Sequence, residues 1–300
     1  MGTPEFAVAS LDALVHAGYK VVGVVTAPDK PAGRGMKITE SAVKKYAVEK
    51  GITVLQPVKL KDPDFLTALA NLHANIQVVV AFRMLPEIVW SMPQYGTINV
   101  HGSLLPNYRG AAPINWAVIN GEHITGVTTF KLKQAIDTGD ILMQQSMPIA
   151  ENETATEVHD SMKLIGAVLL VKTVKALENG TLQSIPQIIS EENKQAPKIF
   201  TKDCELNWNS GVKALYNRVR GLSSFPGALT QLEGKILKVY GSKPEPAEHK
   251  ELIGTVITDG KTFLKYACAD GYLHITELQI AGKKRMSIAE FLRGYKAGRP

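Results

Sequence analysis

The sequence predicts an α/β protein that ends in a small β-barrel. Three observations carry this expectation. Helical and strand patterns alternate over the first part of the chain. The run IQVVVAF (residues 76–82) is almost wholly apolar, as a parallel strand buried on both faces must be. The last part of the chain reads as one helix followed by short strands, separated by glycines and charged turns.

Taken in order, residues 4–18 (PEFAVASLDALVHAG) set Phe6, Ala9, Leu11, Leu14 and Val15 near helical spacing, and Gly18 supplies a stop. The β-branched run YKVVGVVTA (19–27) fits a buried strand. Helices are expected over 39–50, starting near Thr39 or Ser41, and over 62–74, where Asp62 caps and Pro63 fits the first turn. IQVVVAF and TINV (97–100) are the next strands, and 111–121 reads as a helix. ITGVTTFKL (124–132) and ILMQQSMPI (141–149) follow as strands, then a long amphipathic helix over 154–179. Around 180–200 the periodicity breaks into IPQIISEENKQAPKIF, which reads as a linker. A helix over 210–221 and strands at 235–240, 252–257, 262–268 and 272–280 complete the chain. The expected domains are 1–182, a linker at 183–200, and a basic barrel at 201–300.

The chain has 300 residues, 45% hydrophobic and 21% charged, an ordinary balance for a globular protein long enough for two domains. No apolar run reaches the roughly 18 residues of a membrane span, and MGTPEFAVAS lacks the features of a secretory signal. Cys204 and Cys268 are far apart, outside any CxxC pattern, which favours a reduced, cytoplasmic chain without a metal site. The net charge of +6 is uneven: residues 1–185 hold 16 basic and 16 acidic residues, residues 186–300 hold 18 and 12. A basic segment joined to a neutral one suggests a polyanionic partner, although a solubilising surface has the same composition. There is no internal repeat, no Walker A loop and no GxGxxG, which disfavours a dinucleotide oxidoreductase.

The chemistry concentrates in NVHGSLLPNYRGAAP (99–113). In open α/β sheets, ligands bind beyond the carboxyl ends of the strands. Asn99 and His101 lie at the end of TINV, and their i, i+2 spacing puts both side chains on one face of an extended segment. The Asn99 amide can donate to an oxyanion, and His101 can exchange a proton near neutral pH. AIDTGDIL (135–142) adds Asp137 and Asp140 in a turn; Asp140 reads as a turn-former, and Asp137 can orient or charge-stabilise His101. Leu104 and Leu105 need a packing partner, for which a planar apolar ligand is one candidate. Pro106 fixes a turn, with a cis Leu105–Pro106 bond as one alternative and trans as the base-rate expectation. Lys30, Arg34 and Lys37 place three cations on a glycine-flexible loop, and Lys283, Lys284 and Arg285 form the densest basic cluster of the last part.

NVHGSLLPNYRGAAPI followed by GVTTFKLKQAIDTGDIL resembles the catalytic core of the folate-dependent formyltransferases. GTPEFAVASLDAL, TAPDKPAGRGMKI, RVRGLSSFPGA and AGKKRMSIAEFLRG extend the resemblance from end to end. The HGSLLP core identifies only the superfamily; the PAGRG loop and the basic last part point to a member acting on tRNA. The resemblance implies a Rossmann-like formyltransferase domain followed by an OB-like barrel. It implies transfer of a formyl group from 10-formyltetrahydrofolate to methionyl-initiator tRNA, in the cytoplasm, by a monomer that uses no metal. By the same resemblance Asn99, His101 and Asp137 are catalytic, and Ser103, Leu104, Leu105 and Pro106 belong to the folate segment. AFRML (81–85) lines the same pocket on a looser match. Lys30, Arg34, Lys37, Lys283, Lys284 and Arg285 are the expected tRNA contacts. Alternatives within the superfamily formylate a glycinamide nucleotide or an amino sugar, or hydrolyse the formyl folate; a non-catalytic RNA-binding protein is a further alternative. The family carries an apolar strand before the segment matching GTPEFA, whereas this sequence starts at Met1-Gly2-Thr3, so a shortened start is expected.

Overall fold

The computed structural model describes residues 1–32 and 37–295. They form two compact units. The first comprises residues 1–109, 126–147 and 159–195; the second comprises 110–125, 148–158 and the chain from 196 onward.

In the first unit a four-stranded sheet has the order Gln77–Val80, Thr97–His101, Ile124–Lys131, Ile141–Pro148. The first pair is parallel, with Val79 opposite Asn99, and the second is antiparallel, with Asn99 opposite Phe130 and His101 opposite Thr128. Val79, Val80, Ile98, Val100, Val127 and Phe130 are buried, and in the strand Thr97–His101 the apolar Ile98 and Val100 alternate with Thr97, Asn99 and His101 on the other face. The helix Ala155–Glu178 packs on this sheet at Gly166. A side chain there would start 3.4 Å from Val100 Cγ1 and 3.5 Å from Val127 Cγ1. A buried Thr129–Thr173 hydroxyl pair at 2.8 Å links the strand to the same helix.

Local signals fix the other helices. Glu5–His16 ends before Gly18, whose φ is +82°. Ala42–Glu49 is capped by the Ser41 hydroxyl, which accepts from Lys44 N at 3.0 Å. Pro63–Ala70 is capped by Asp62, which accepts from Asp64 N at 3.0 Å.

The strand expected over 19–27 contracts to Val24–Val25, paired in parallel with Val54–Leu55. The reason is its second edge. One edge is satisfied by Val24 N to Thr53 O and Thr26 N to Leu55 O, at 2.8 and 3.0 Å. On the other edge, among the described residues, Gly2 N alone reaches Val25 O, at 3.0 Å, and Met1–Gly2 continues to the neighbouring strand through Val80 N to Met1 O at 2.9 Å. Val21, Val22, Gly23, Ile76 and Val78 border a cavity of about 590 Å³ there.

The second unit holds a curled, half-barrel antiparallel sheet. Its order is Ala228–Leu232, Lys235–Pro246, Gly271–Ile280, Leu264–Cys268, Val256–Thr258, with Met286–Ser287 beside Gly271–Ile280. The helix Val212–Leu222 contributes Leu215, Val219 and Leu222 to a core shared with Leu237, Val239, Ile275 and Leu278. Trp208 stacks on buried Tyr266 with ring centroids 4.3 Å apart. Cys204 and Cys268 are free and buried.

The second strand runs past its expected end at 240 because the ladder shifts register on either side of Gly241. A Cβ at Gly241 would lie 2.6 Å from Thr276 Oγ1. The strand expected at 252–257 forms at Val256–Thr258, after Gly254 turns the chain with φ +85°. The strand Ala228–Leu232 and the helix Ile288–Gly294 are additions. The helix carries a legible signal: Ser287 and Glu290 make a capping box in SIAE.

Candidate active site

His101 ends the strand Thr97–His101 and is 7% exposed. Its Nε2 lies 2.8 Å from the Tyr108 carbonyl oxygen. A carbonyl only accepts, so Nε2 carries a proton and Nδ1 is the ring nitrogen left for exchange. Nδ1 faces Asp137 Oδ2 at 3.8 Å, with both side chains largely shielded. That distance exceeds a direct hydrogen bond and leaves room for a bridging atom. The Phe130 ring meets the imidazole edge-on, with centroids 6.4 Å apart. Asn99 is half-buried on the same strand and the same face. The structure therefore brings His101 and Asp137 together across a sequence gap, and holds Asn99 two residues from His101.

The loop after His101 is fixed by a small polar network. Thr128, fully buried, accepts from Leu105 N at 3.1 Å and donates to Ser103 O at 2.6 Å. Gln144 Nε2 donates to Leu105 O and to Thr128 Oγ1, both at 2.9 Å. Ser103 Oγ donates to Asn107 O at 2.6 Å, and the Leu105–Pro106 bond is cis. Leu105 is 3% exposed, so protein covers it. Leu104 packs at Gly126, where a Cβ would come within 2.6 Å of Leu104 Cδ2. Thr128, Gln144 and the Tyr108 carbonyl were not picked out from sequence; the one signal is a threonine in a buried strand, which needs a partner.

The Asp137 turn is built by glycine. A Cβ at Gly139 would fall 1.6 Å from Lys131 O, so only glycine lets the turn approach the strand. Thr138 Oγ1 donates to Ala135 O at 3.0 Å, and Asp140 pairs with Lys133 at 2.7 Å, which suits a turn-former. Asp137 and Tyr108 both have left-handed backbones, with φ +53° and +60°. Each such non-glycine conformation costs on the order of 1–2 kcal/mol and persists only where neighbours fix it.

Of the AFRML segment, Leu85 is buried in the core with Val79 and Val89, Met84 is 70% exposed, and Arg83 donates to the carbonyls of Pro57 and Val58. The 590 Å³ cavity does not include Asn99, His101 or Asp137 in its lining. The site stands on geometry at the strand exit rather than on cavity size.

Lys30 is exposed on the strand Lys30–Ala32, paired antiparallel with Lys37–Thr39. Arg34 lies outside the described residues, and Lys37 is placed by its backbone pairing with Ala32. Asp29, before this hairpin, accepts from Lys44 and from Gln56 Nε2, the latter at 2.8 Å. These bonds hold its carboxyl below the usual range, with the Lys44 bond first. In the second unit Lys283 and Lys284 are exposed beyond Ile280. Arg285 makes two bonds to the Glu277 carboxylate and sits over the Tyr240 ring, 4.4 Å from its centroid.

Among the described residues no group of three or more His, Cys, Asp or Glu could hold a metal, and no helix is long and apolar enough to cross a membrane.

Residues 1–174 match the family model described as formyl transferase, and residues 198–296 match its C-terminal domain. The chain belongs to the formyl transferase family. A methionyl-tRNA formyltransferase of Parabacteroides distasonis is 53% identical over 306 residues, covering 99% of this chain and 94% of that protein. The Bacteroides thetaiotaomicron protein of the same name is 50% identical over 304 residues, with the same coverage. Among solved structures, an N-formyltransferase from Helicobacter canadensis in complex with folinic acid and dTDP-3-aminofucose aligns with a TM-score of 0.64. It is 19% identical and covers 94% of this chain and 97% of that one, a likeness of fold. This formyl transferase carries Asn99, His101 and Asp137 within its matched N-terminal region, and Lys283, Lys284 and Arg285 within its matched C-terminal region.

Proposed function

We propose that the protein transfers the formyl group of 10-formyltetrahydrofolate to the α-amine of methionyl-initiator tRNA, giving the formylmethionyl-tRNA used to begin translation. The observation that carries this reading is the His101–Asp137 pair at the exit of a sheet strand, in a chain about half identical over nearly its full length to methionyl-tRNA formyltransferases.

The neutral amine attacks the formyl carbon, and negative charge grows on the former carbonyl oxygen. The Asn99 amide donates to that oxygen; in other acyl transfers one such donor contributes about 3 kcal/mol. A proton must leave the attacking amine. His101 Nδ1 accepts it, because Nε2 is engaged with Tyr108. Asp137, 3.8 Å away, stabilises the resulting imidazolium. The same ring then returns a proton toward the departing folate nitrogen. No covalent enzyme intermediate is required, since the amine is itself a nucleophile.

The segment Ser103–Pro106 takes the folate. Ser103 and Leu105 are buried and shape the loop, which leaves the partly exposed Leu104 and Pro106 and the loop backbone as the face offered to a planar ring. Lys30, Arg34 and Lys37 contact the tRNA, as do Lys283, Lys284 and Arg285 of the second unit. Phosphate contacts of this kind position RNA without reading sequence and weaken with salt. The setting for this reaction is the cytoplasm. A 183–200 linker between a catalytic domain (1–182) and a basic domain (201–300) fits the same reading.

The test is direct: purified protein, methionyl-initiator tRNA and 10-formyltetrahydrofolate, with formylmethionyl ester as product. Its formation, slowed about 10²- to 10⁴-fold by His101→Ala, is the expected result. A folded chain that formylates only small amine acceptors would move the assignment to another branch of the family.

A further inference from the structure

Residues 183–195 cross the first unit largely in solvent. Ile185, Ile188 and Ile189 are 62, 87 and 46% exposed. Gln187 turns inward. Its Nε2 donates to Asp137 O at 2.9 Å and to Gly139 O at 2.7 Å, and its Oε1 is buried with no hydrogen-bond partner among the described residues. A buried, unpartnered amide oxygen is unfavourable, so a side chain free to choose would turn to water. The two donated bonds hold it in place.

The same segment is fastened at both ends. Ile185 exchanges two backbone bonds with Ile141, each 2.8 Å. At the far end Lys194 O accepts from Tyr108 N at 2.5 Å, and Lys194 N donates to Asn107 Oδ1 at 3.1 Å. Tyr108 is the residue whose carbonyl fixes His101, and Asp137 is the residue that faces it. Both have left-handed backbones that need outside support, and this one strap bonds to both.

We propose that Gln187 is a positioning residue: it pins the backbone of Asp137 so that the carboxylate faces His101, within a strap that also holds Tyr108. This rests on the function proposed above. Removing the Gln187 donors takes two bonds from the Asp137 turn while the rest of the strap, exposed and bonded through its backbone, stays in place.

The test compares wild type with Gln187→Met, which keeps length but removes both donors, and with Ile188→Ala as an exposed neighbour. Gln187→Met is expected to lower kcat about 10- to 100-fold, the size of effect that a small misplacement of reacting groups produces. KM for both substrates should stay within about twofold, because binding surfaces are untouched. Ile188→Ala should match wild type. The ring-nitrogen NMR signals of His101 should move in Gln187→Met only. Gln187→Leu, which also lacks the donors, repeats the comparison if the first variant does not fold. An unchanged kcat, a loss explained by KM, or an equal loss in Ile188→Ala would overturn the proposal. Wild type that forms no formylmethionyl ester would instead sink the functional reading; the His101 signals then decide the positioning role by themselves.

Discussion

Gln144 and Thr128 together grip Leu105 from both sides of its peptide: Gln144 holds the carbonyl at 2.9 Å and Thr128 holds the N–H at 3.1 Å. The loop that follows His101 is thus set by the two strands beyond it. Thr128→Val keeps the shape of the buried side chain but leaves Leu105 N without its partner. A buried donor left unsatisfied costs about 1–3 kcal/mol. Chemical denaturation should register that loss, and titration with tetrahydrofolate should show weakened binding, since the segment proposed to take the folate loses its anchor.

His101→Ala and Asp137→Asn should separate proton transfer from binding. General acid–base catalysis contributes about 10²- to 10⁴-fold, so His101→Ala should lose that much in kcat with tRNA affinity unchanged. Asp137→Asn keeps the turn but removes the charge beside Nδ1, and should fall in kcat by less. Steady-state kinetics with each substrate varied in turn will check both.

Gly139→Ala tests the turn itself. Its Cβ would collide with Lys131 O at 1.6 Å, so the backbone must move. Overpacking of this kind costs about 1–3 kcal/mol, and the displaced turn carries Asp137 with it. Thermal melting should drop and kcat should fall together, whereas Gly180→Ala, at a position with open space but φ +66°, should affect melting alone.

Arg285 spends its guanidinium on Glu277. Glu277→Gln should therefore tighten tRNA binding at low salt, and Arg285→Ala should weaken it. If Arg285 contacts a phosphate, its loss reduces the slope of log affinity against log salt by about one. Filter binding across a salt series will read the slope.

Asp29 anchors the base of the Lys30–Thr39 hairpin, and its lowered pKa makes that anchor pH-dependent. The carboxyl titrates near 3.8 when unfolded and lower when folded. Stability is thus present above the unfolded value and lost as pH falls through the folded one. Asp29→Asn should be less stable than wild type at neutral pH, and the gap should close on acidification. Denaturation of the two proteins at a series of acidic pH values measures that gap.

Most of the frame was legible because its signals are local. Asp62-Pro63, Ser41 and the apolar Val78–Val80 run each act within a turn or a strand. The 19–27 strand shows the limit: β-branched residues favour a strand, but its length is decided by which backbone lies alongside, and among the described residues Gly2 alone bonds it on one side. At the site, Asn99 and His101 were readable from their spacing and position. The 3.8 Å approach of Asp137 was not, since it depends on Gly139 and on Gln187 fifty residues away. Thr128 and Gln144 act through tertiary hydrogen bonds that no periodicity encodes.

The two thiols have a consequence of their own. The sequence has 2 cysteines, Cys204 and Cys268, and both lie in the second unit. Burial pushes both thiols above their ordinary acidity range, which suppresses the reactive thiolate. An alkylating reagent can thus modify them only when that unit opens. The labelling rate is a built-in stopwatch for the opening of one unit, silent to events in the other, and it needs no engineered probe.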